Sequence, residues 1–287
     1  MNLFKTLLPI YILCAATLQA EEFRIAVSDL IASSIQAPLE AHADEYEFTL
    51  EIESIGSLPA LDKLRSDEFD LAIIALPDNN RSPRGEFIFS PFAYDASLVV
   101  VKQSNPIQEI SMKELGGIFG SRQELSVNTW GDLGFSGLGS RNINPFLGIS
   151  ENSIILELFK HYALKGTSLN SSVSIDQVDS VEALVISNGS AIALMPRLPK
   201  KSGLKTLMIS KDGDSPAFGP TSNNIHHGDY PIRLPFCIAY NQRDKSKLVS
   251  LIRYLLEDEM ASHLESNGLF SLSNNVRRNL VMELELE

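Results

Sequence analysis

An α/β fold on mainly parallel sheets is what this sequence predicts, and three observations carry the prediction. Short apolar strands alternate with amphipathic helical segments along nearly the whole chain, the order that builds parallel β–α–β units. Two of the strands, Phe69 to Ala75 (FDLAIIA) and Ala96 to Lys102 (ASLVVVK), are almost unbroken apolar runs, as strands covered on both faces are. The chain has 287 residues, 44% hydrophobic and 21% charged, enough for one large domain or two modest ones with a real core.

Taken in order, Phe23 to Val27 (FRIAV) reads as the first strand. Leu30, Ile31, Ile35 and Leu39 then share one face of a helix. Phe48 to Ser54 alternates Phe48, Leu50 and Ile52 with polar residues, the pattern of a half-buried strand. A Gly-Ser turn leads into the short helix LPALDKLRS, and FDLAIIA and ASLVVVK follow as buried strands. Ser111 and Glu114 form a capping box at the start of SMKELGGIF. Gly131 to Gly148 is rich in Gly, Asn and Ser and reads as loop. Ile155, Leu158, Phe159 and Tyr162 then predict a firm helix through ENSIILELFKHYAL. SVSI, a helix over 178–187 and the strand SAIALMP come next. Lys200 to Asp229 is the least regular stretch and reads as a surface excursion. The strand LPFCIAY, a helix over 247–257 and a last helix closed by Gly268 complete the reading.

The formal charge of −12, with no basic run, argues against nucleic acid or an anionic membrane surface as partner. Two cysteines and no CxxC exclude a disulfide scaffold, a zinc ribbon and a redox pair. The first twenty residues have the shape of a secretory signal peptide: Lys5, an apolar run from Thr6 to about Leu18, then Ala20 before two acids. An uncleaved anchor is the alternative, although the run is short for a membrane span. Cleavage near Ala20 would export the chain, to a periplasm or its equivalent, and remove Cys14. Cys237 would then remain alone, expected as a buried thiol in a strand.

Ligands of open α/β sheets sit beyond the carboxyl ends of the strands, so the strand-to-helix turns are the candidate sites. Ser28-Asp29-Leu30 follows the first strand, Gly56-Ser57 the second, and Ser150-Glu151-Asn152-Ser153 stands at the start of the later helix. Each turn has two readings. Ser and Asp are preferred helix caps in any protein. A helix start also offers unpaired N–H groups and partial positive charge to an anion. Two such turns on adjacent strands would converge on one cleft. Enzyme signatures are poor: there is no GxSxG, HExxH, GxxxxGK[ST] or strand-borne GxGxxG. His226 and His227 are adjacent in an expected loop, Asp67 and Asp70 read as surface charge, and Trp130 reads as a packing residue. No cofactor and no metal site is expected, and the chain is not expected to be an enzyme.

Beyond these local features, the segments resemble, in order and spacing, the phosphate-binding proteins of phosphate ABC transporters. FRIAVSDLI is similar to that family's strand and G-S-D-T turn, EIESIGSLPALDKL to its G-S-G turn and helix, and FDLAIIA to its D-I-A strand. ASLVVVKQSNPIQEISMKELGGIFG is similar to its hinge strand, N-P and L-x-x-I-F helix, and TWGDLG to its W-x-x-L-G turn. SAIALMP, DYPIRLPFCIAYNQ and NGLFSLSNNV are similar to later segments of the family. The resemblance implies a two-lobed periplasmic-binding-protein type II fold, each lobe a mainly parallel sheet flanked by helices. It implies a first lobe over residues 23–97, a second over 98–235, and a return to the first over 236–287.

It further implies a monomer that binds phosphate or a similar small oxyanion between the lobes and presents it to a membrane ABC permease. The residues carried over are Ser28, Asp29, Leu30, Gly56, Ser57 and Ser153, with serines donating and Asp29 either accepting a proton from the ligand or capping its helix. Leu30 stands where the family has Thr, and Pro59 removes an N–H donor. No Arg lies just before Ser153; Arg141 is the nearest upstream guanidinium and the candidate to reach in. Three alternatives stay open: a divergent relative with a different ligand or none, a phosphoester hydrolase on the same fold, and a scaffold that uses the fold for contacts.

Overall fold

The computed structural model describes residues 21–76, 87–122, 124, 126–135, 137, 139–150 and 153–286. The expected leader over 1–20, with Cys14, lies outside them. Among the described residues no helix is long and apolar enough to cross a membrane.

The chain begins with β1 (Glu22–Ser28), α1 (Ala32–Glu45), β2 (Thr49–Ile55), α2 (Ser57–Arg65) and β3 (Leu71–Ala75). β1 pairs in parallel with β2 on one side and β3 on the other. Alternation along β1 divides its burial between two layers. Phe23, Ile25 and Val27 pack in the main core with Ile31, Ile35 and Leu39 of the α1 segment. Ala26 joins Ala72, Ile74 and the α2 residues Ala60, Leu61 and Leu64 in a second cluster. With both faces covered, the apolar run in FDLAIIA has its physical reason.

β4 (Phe87–Ala96) ends one residue before β5 (Leu98–Lys102), and the two belong to different sheets. Ser97 is therefore the crossing point. Beyond it come β6 (Glu109–Ser111), α3 (Met112–Phe119), β7 (Asn144–Ile149), α4 (Ile155–Phe159), β8 (Ser174–Gln177), α5 (Val178–Ser187) and β9 (Ala191–Met195). β10 (Leu204–Thr206), β11 (Met208–Ser210), β12 (Ala217–Phe218) and α6 (Ser222–His227) follow. β13 (Arg233–Asn241) returns to the first sheet, and α7 (Lys245–Leu255), α8 (Asp258–Ser266), β14 (Phe270–Ser271) and α9 (Asn274–Leu286) finish the chain.

The six-stranded sheet has the order β14-β4-β13-β3-β1-β2 and the five-stranded sheet the order β10-β5-β9-β7-β8; β12-β11-β6 forms a small third sheet. Each large sheet contains a parallel trio, β2-β1-β3 and β8-β7-β9, beside antiparallel strands. This is the two-lobed α/β architecture expected from the resemblance, with mixed rather than mainly parallel sheets.

Several local expectations are corrected. The stretch read as loop up to Gly148 contains β7, a central strand. Asn144, Pro145 and Gly148 disguise it; a Cβ at Gly148 would lie 2.9 Å from the Met195 sulfur and 3.3 Å from the Val178 Cα, a close approach that favours glycine. The firm helix after it is five α-helical residues and then a π-helical turn over Lys160–Leu164, stopped by Lys165 at φ 48°. The surface excursion over 200–229 carries β10, β11, β12 and α6. A further helix, α9, lies beyond Gly268. The two histidines end α6 rather than occupying a loop: His226 Nδ1 lies 2.8 Å from the Tyr94 hydroxyl and His227 Nδ1 lies 2.8 Å from the Asn223 carbonyl. Cys237 is half-buried on β13, at a register shift against β4. Asp70 is no surface charge: it accepts the Arg24 N–H at 2.9 Å and the Lys247 ammonium at 2.9 Å, tying β1 to α7. Trp130 is fully buried, as a packing residue should be, and the Ser111–Glu114 capping box is formed.

Candidate functional site

Where the two parallel trios end, their turns face each other. β1 stops at Ser28; the Asp29 N–H then donates to the Ile55 carbonyl (3.2 Å) and the Ile31 N–H to the Ser28 carbonyl (3.0 Å). This tight turn sends the chain into α1 with no side-chain cap at Ile31. Leu30 and the first-turn residues Ser33 and Ser34 thereby face a cavity of about 260 Å³. Its opposite wall is Ser150 and Ser153, just past β7 of the second sheet. Asp95, near the crossing point on β4, also lines it. Pro196 past β9 and the Asn267–Leu269 turn past α8 close the remaining sides. The cavity thus joins carboxyl ends of strands from both sheets, where an open α/β sheet holds its ligand.

The turns around it are fixed by a few buried polar contacts. Ser97 is fully buried; its hydroxyl donates to the Ile155 carbonyl (3.0 Å), its N–H to Ile232 (3.1 Å), and its carbonyl accepts from the Tyr230 hydroxyl (2.8 Å). One residue therefore ties the crossing strands to the start of α4. Ser153 Oγ accepts the Ile155 N–H at 3.4 Å. Behind Pro196, Arg197 pairs with the buried Glu182 (2.8 Å) and with Asp179 (2.6 Å). Gly268 holds φ 87°, and a Cβ there would come within 3.0 Å of Arg197 Cβ, so this turn needs glycine.

The electrostatics are unusual for an anion site. No lysine or arginine is among the described lining residues. What the cavity offers is serine hydroxyls and one carboxyl, beside the positive end of the α1 dipole. Burial pushes that Asp95 carboxyl up to about 6, opposed only by a hydrogen bond from the Ala96 N–H. Near neutral pH Asp95 can thus hold a proton to donate or give up that proton and accept one.

Of the residues singled out in the sequence, Leu30, Ser150 and Ser153 line the cavity. Ser28, Asp29, Gly56 and Ser57 come together at the adjoining strand ends but do not line it. Ser28 is fully buried, Gly56 caps α2, and Ser57 Oγ accepts the Ala75 N–H at 3.0 Å, closing α2 onto β3. Arg141 stands elsewhere. It is exposed and precedes β7, its carbonyl accepting the Trp130 N–H, while Ser150 follows β7. Six residues of strand, roughly 20 Å at about 3.3 Å each, separate the two, beyond the reach of an arginine side chain. Ser33, Ser34 and Asp95 were not singled out. Asp95 did carry a signal, as the one acid in the strand FAYDASLVVV.

Three comparisons bear on this geometry. The PBP superfamily domain matches residues 15–259. The phosphate-binding protein PstS of Pseudomonas aeruginosa is 24% identical over 208 residues, covering 68% of this chain; the match spans 64% of that relative's length. Among solved structures, a possible phosphate-binding protein from Planctomyces limnophilus superposes with a TM-score of 0.68 at 19% identity, over 92% of this chain and 98% of its own. PstS from Borrelia burgdorferi superposes with a TM-score of 0.70 at 16% identity, over 88% of this chain and 99% of its own. These structural likenesses are of fold. The two lobes, the facing strand ends and the match over most of its length show that the chain belongs to the PBP superfamily.

Proposed function

We propose that this protein is an exported solute-binding protein that holds phosphate or a similar small oxyanion between its lobes for delivery to a membrane ABC permease. In this reading residues 1–20 are the export leader, residues 23–97 with 236–287 form one lobe, and residues 98–235 form the other. The protein acts as a monomeric receptor rather than a catalyst. One observation carries the reading: a single small cavity is shared by Ser33 and Ser34 of the α1 turn and by Ser150 and Ser153 beyond β7. A ligand bridging those walls would favour closure of the lobes about the crossing strands, because it makes more contacts in the closed form. The names of the relatives, phosphate-binding proteins, support the ligand class.

Asp95 sets the ligand's protonation state in this scheme. As a carboxylate it accepts a hydrogen bond from hydrogen phosphate; sulfate has no proton to offer. The test is calorimetric titration of the folded chain with orthophosphate at pH 7, with sulfate as comparison. Binding of phosphate with at least tenfold preference over sulfate is expected. No heat at millimolar phosphate, from protein that still melts cooperatively, overturns the phosphate assignment.

A second reading is a superfamily member with a different ligand, and the lack of a lysine or arginine among the described lining residues favours it. A charge-assisted hydrogen bond from arginine contributes about 1.5–3 kcal/mol. The serines and Asp95 alone suit a small ligand rich in hydroxyl donors. Phosphate silence together with heat from such a polyol would establish this reading.

A further inference from the structure

A second and larger cavity, of about 590 Å³, lies away from the interlobe site and shares no lining residue with it. It is bounded by the start of α3, the π-helical turn after α4, the loop after β11 and the segment leading into β13. Four separate stretches of chain each send a cation to it: Lys113, Arg122, Lys165 and Lys211. None of these four makes an ion pair or side-chain hydrogen bond with a described residue. A fifth, Arg233, is nearly buried; its guanidinium donates to the His226 carbonyl (2.9 Å) and the Ile225 carbonyl and lies 5.3 Å from the Tyr94 ring centre.

The sole acid among the described lining residues, Asp212, is already engaged. It accepts the Ser215 hydroxyl and the backbone N–H groups of Ser215 (2.7 Å) and Asp214 (3.1 Å). A chain of net charge −12 therefore gathers five cations against one carboxylate in one half-open hollow. Apart from Thr167, the side chains of the remaining wall are apolar or aromatic, among them Met112, Tyr162, Ala163, Leu164 and Pro231. Lys165, at φ 48°, is held in the left-handed region just where the π-helical turn ends. π-Turns within helices recur at functional sites. The volume falls within the range of about 300–1,000 Å³ typical of small-molecule sites.

We propose that this cavity is a second binding site, for a small organic polyanion whose flat apolar body lies against Tyr162 and whose charges meet the four unpaired cations. Inorganic phosphate has no body to fill the apolar wall and is not its ligand. The proposal is independent of what the interlobe cavity binds.

Adenosine 5′-triphosphate is a suitable probe, combining four negative charges with an aromatic ring. Titration of the full chain with it should show binding that weakens steeply with added salt. The double charge reversal Lys165→Glu/Lys211→Glu, at exposed positions, should weaken that binding at least tenfold. The matched surface pair Lys200→Glu/Arg278→Glu should change it less than twofold, and millimolar orthophosphate should not displace the nucleotide. Tyr162→Leu should weaken it severalfold, with the salt dependence retained. The proposal is overturned if the folded chain does not bind the nucleotide at millimolar concentration. It is equally overturned if the Lys165/Lys211 reversal leaves binding unchanged, or if orthophosphate competes at equal concentration.

Discussion

Asp95 is the residue on which the interlobe site turns. Its carboxyl is raised to about 6 by burial, from an ordinary value near 3.8. Between those two values the folded chain holds a proton that the unfolded chain has lost, so this group makes stability fall as pH rises through that window. Asp95→Asn removes the penalty. The variant should be more stable than the parent at pH 7, by up to about 3 kcal/mol, and equal to it near pH 3.5, as urea melts at the two pH values would report. If Asp95 also accepts a proton from hydrogen phosphate, the same variant gains stability while losing preference for phosphate over sulfate. Ser97 behaves oppositely. Ser97→Ala leaves the Ile155 carbonyl without its buried donor and should destabilise the chain by about 1–3 kcal/mol at every pH, read from the same melts.

At the scale of elements, the sheet edges and turns depend on polar ties the sequence only half discloses. Asp70 joins β1 to α7. Although burial raises its carboxyl, the hydrogen bond from Lys247 and the Arg24 N–H bring it below the usual range. The stability from this depressed group is complete above pH 4 and is lost as pH falls through its folded value. Asp70→Asn should cost about 1.5–3 kcal/mol at pH 7, a cost that shrinks as pH falls through the folded value, in thermal melts. The Asn267–Leu269 turn makes a similar point. Gly268→Ala places a Cβ against Arg197 at positive φ and should lower stability by about 1–3 kcal/mol.

Most elements were legible because hydrophobic period survives in single segments: β1, β3, β5, β9 and β13 are apolar runs, and the Ser111–Glu114 box announces α3. β7 was not legible, since its Pro145 and Gly148 answer to neighbouring strands and to Met195 rather than to local propensity. The site was half legible for a related reason. Leu30 and Ser153 sit beside strand ends, where order along the chain points. Asp95 enters through the antiparallel crossing strand, and which face of it meets the cavity is decided by pairing between distant segments. Arg141 fails by distance: closeness in sequence to Ser153 does not survive an extended strand between them.

For the whole molecule, the proposed function requires that two lobes meet at one small hydroxyl-lined chamber and that a bound anion draws them together. Closure would compact the protein, so small-angle scattering should record a smaller radius of gyration when phosphate saturates it. The decisive comparison fills the chamber from the second lobe alone. Ser153→Leu adds bulk at a half-buried wall position, away from either sheet's core. Calorimetric titration of this variant with orthophosphate, at a melting temperature within a few degrees of the parent's, should give no binding heat. Heat equal to the parent's would mean that phosphate is held somewhere other than between the lobes.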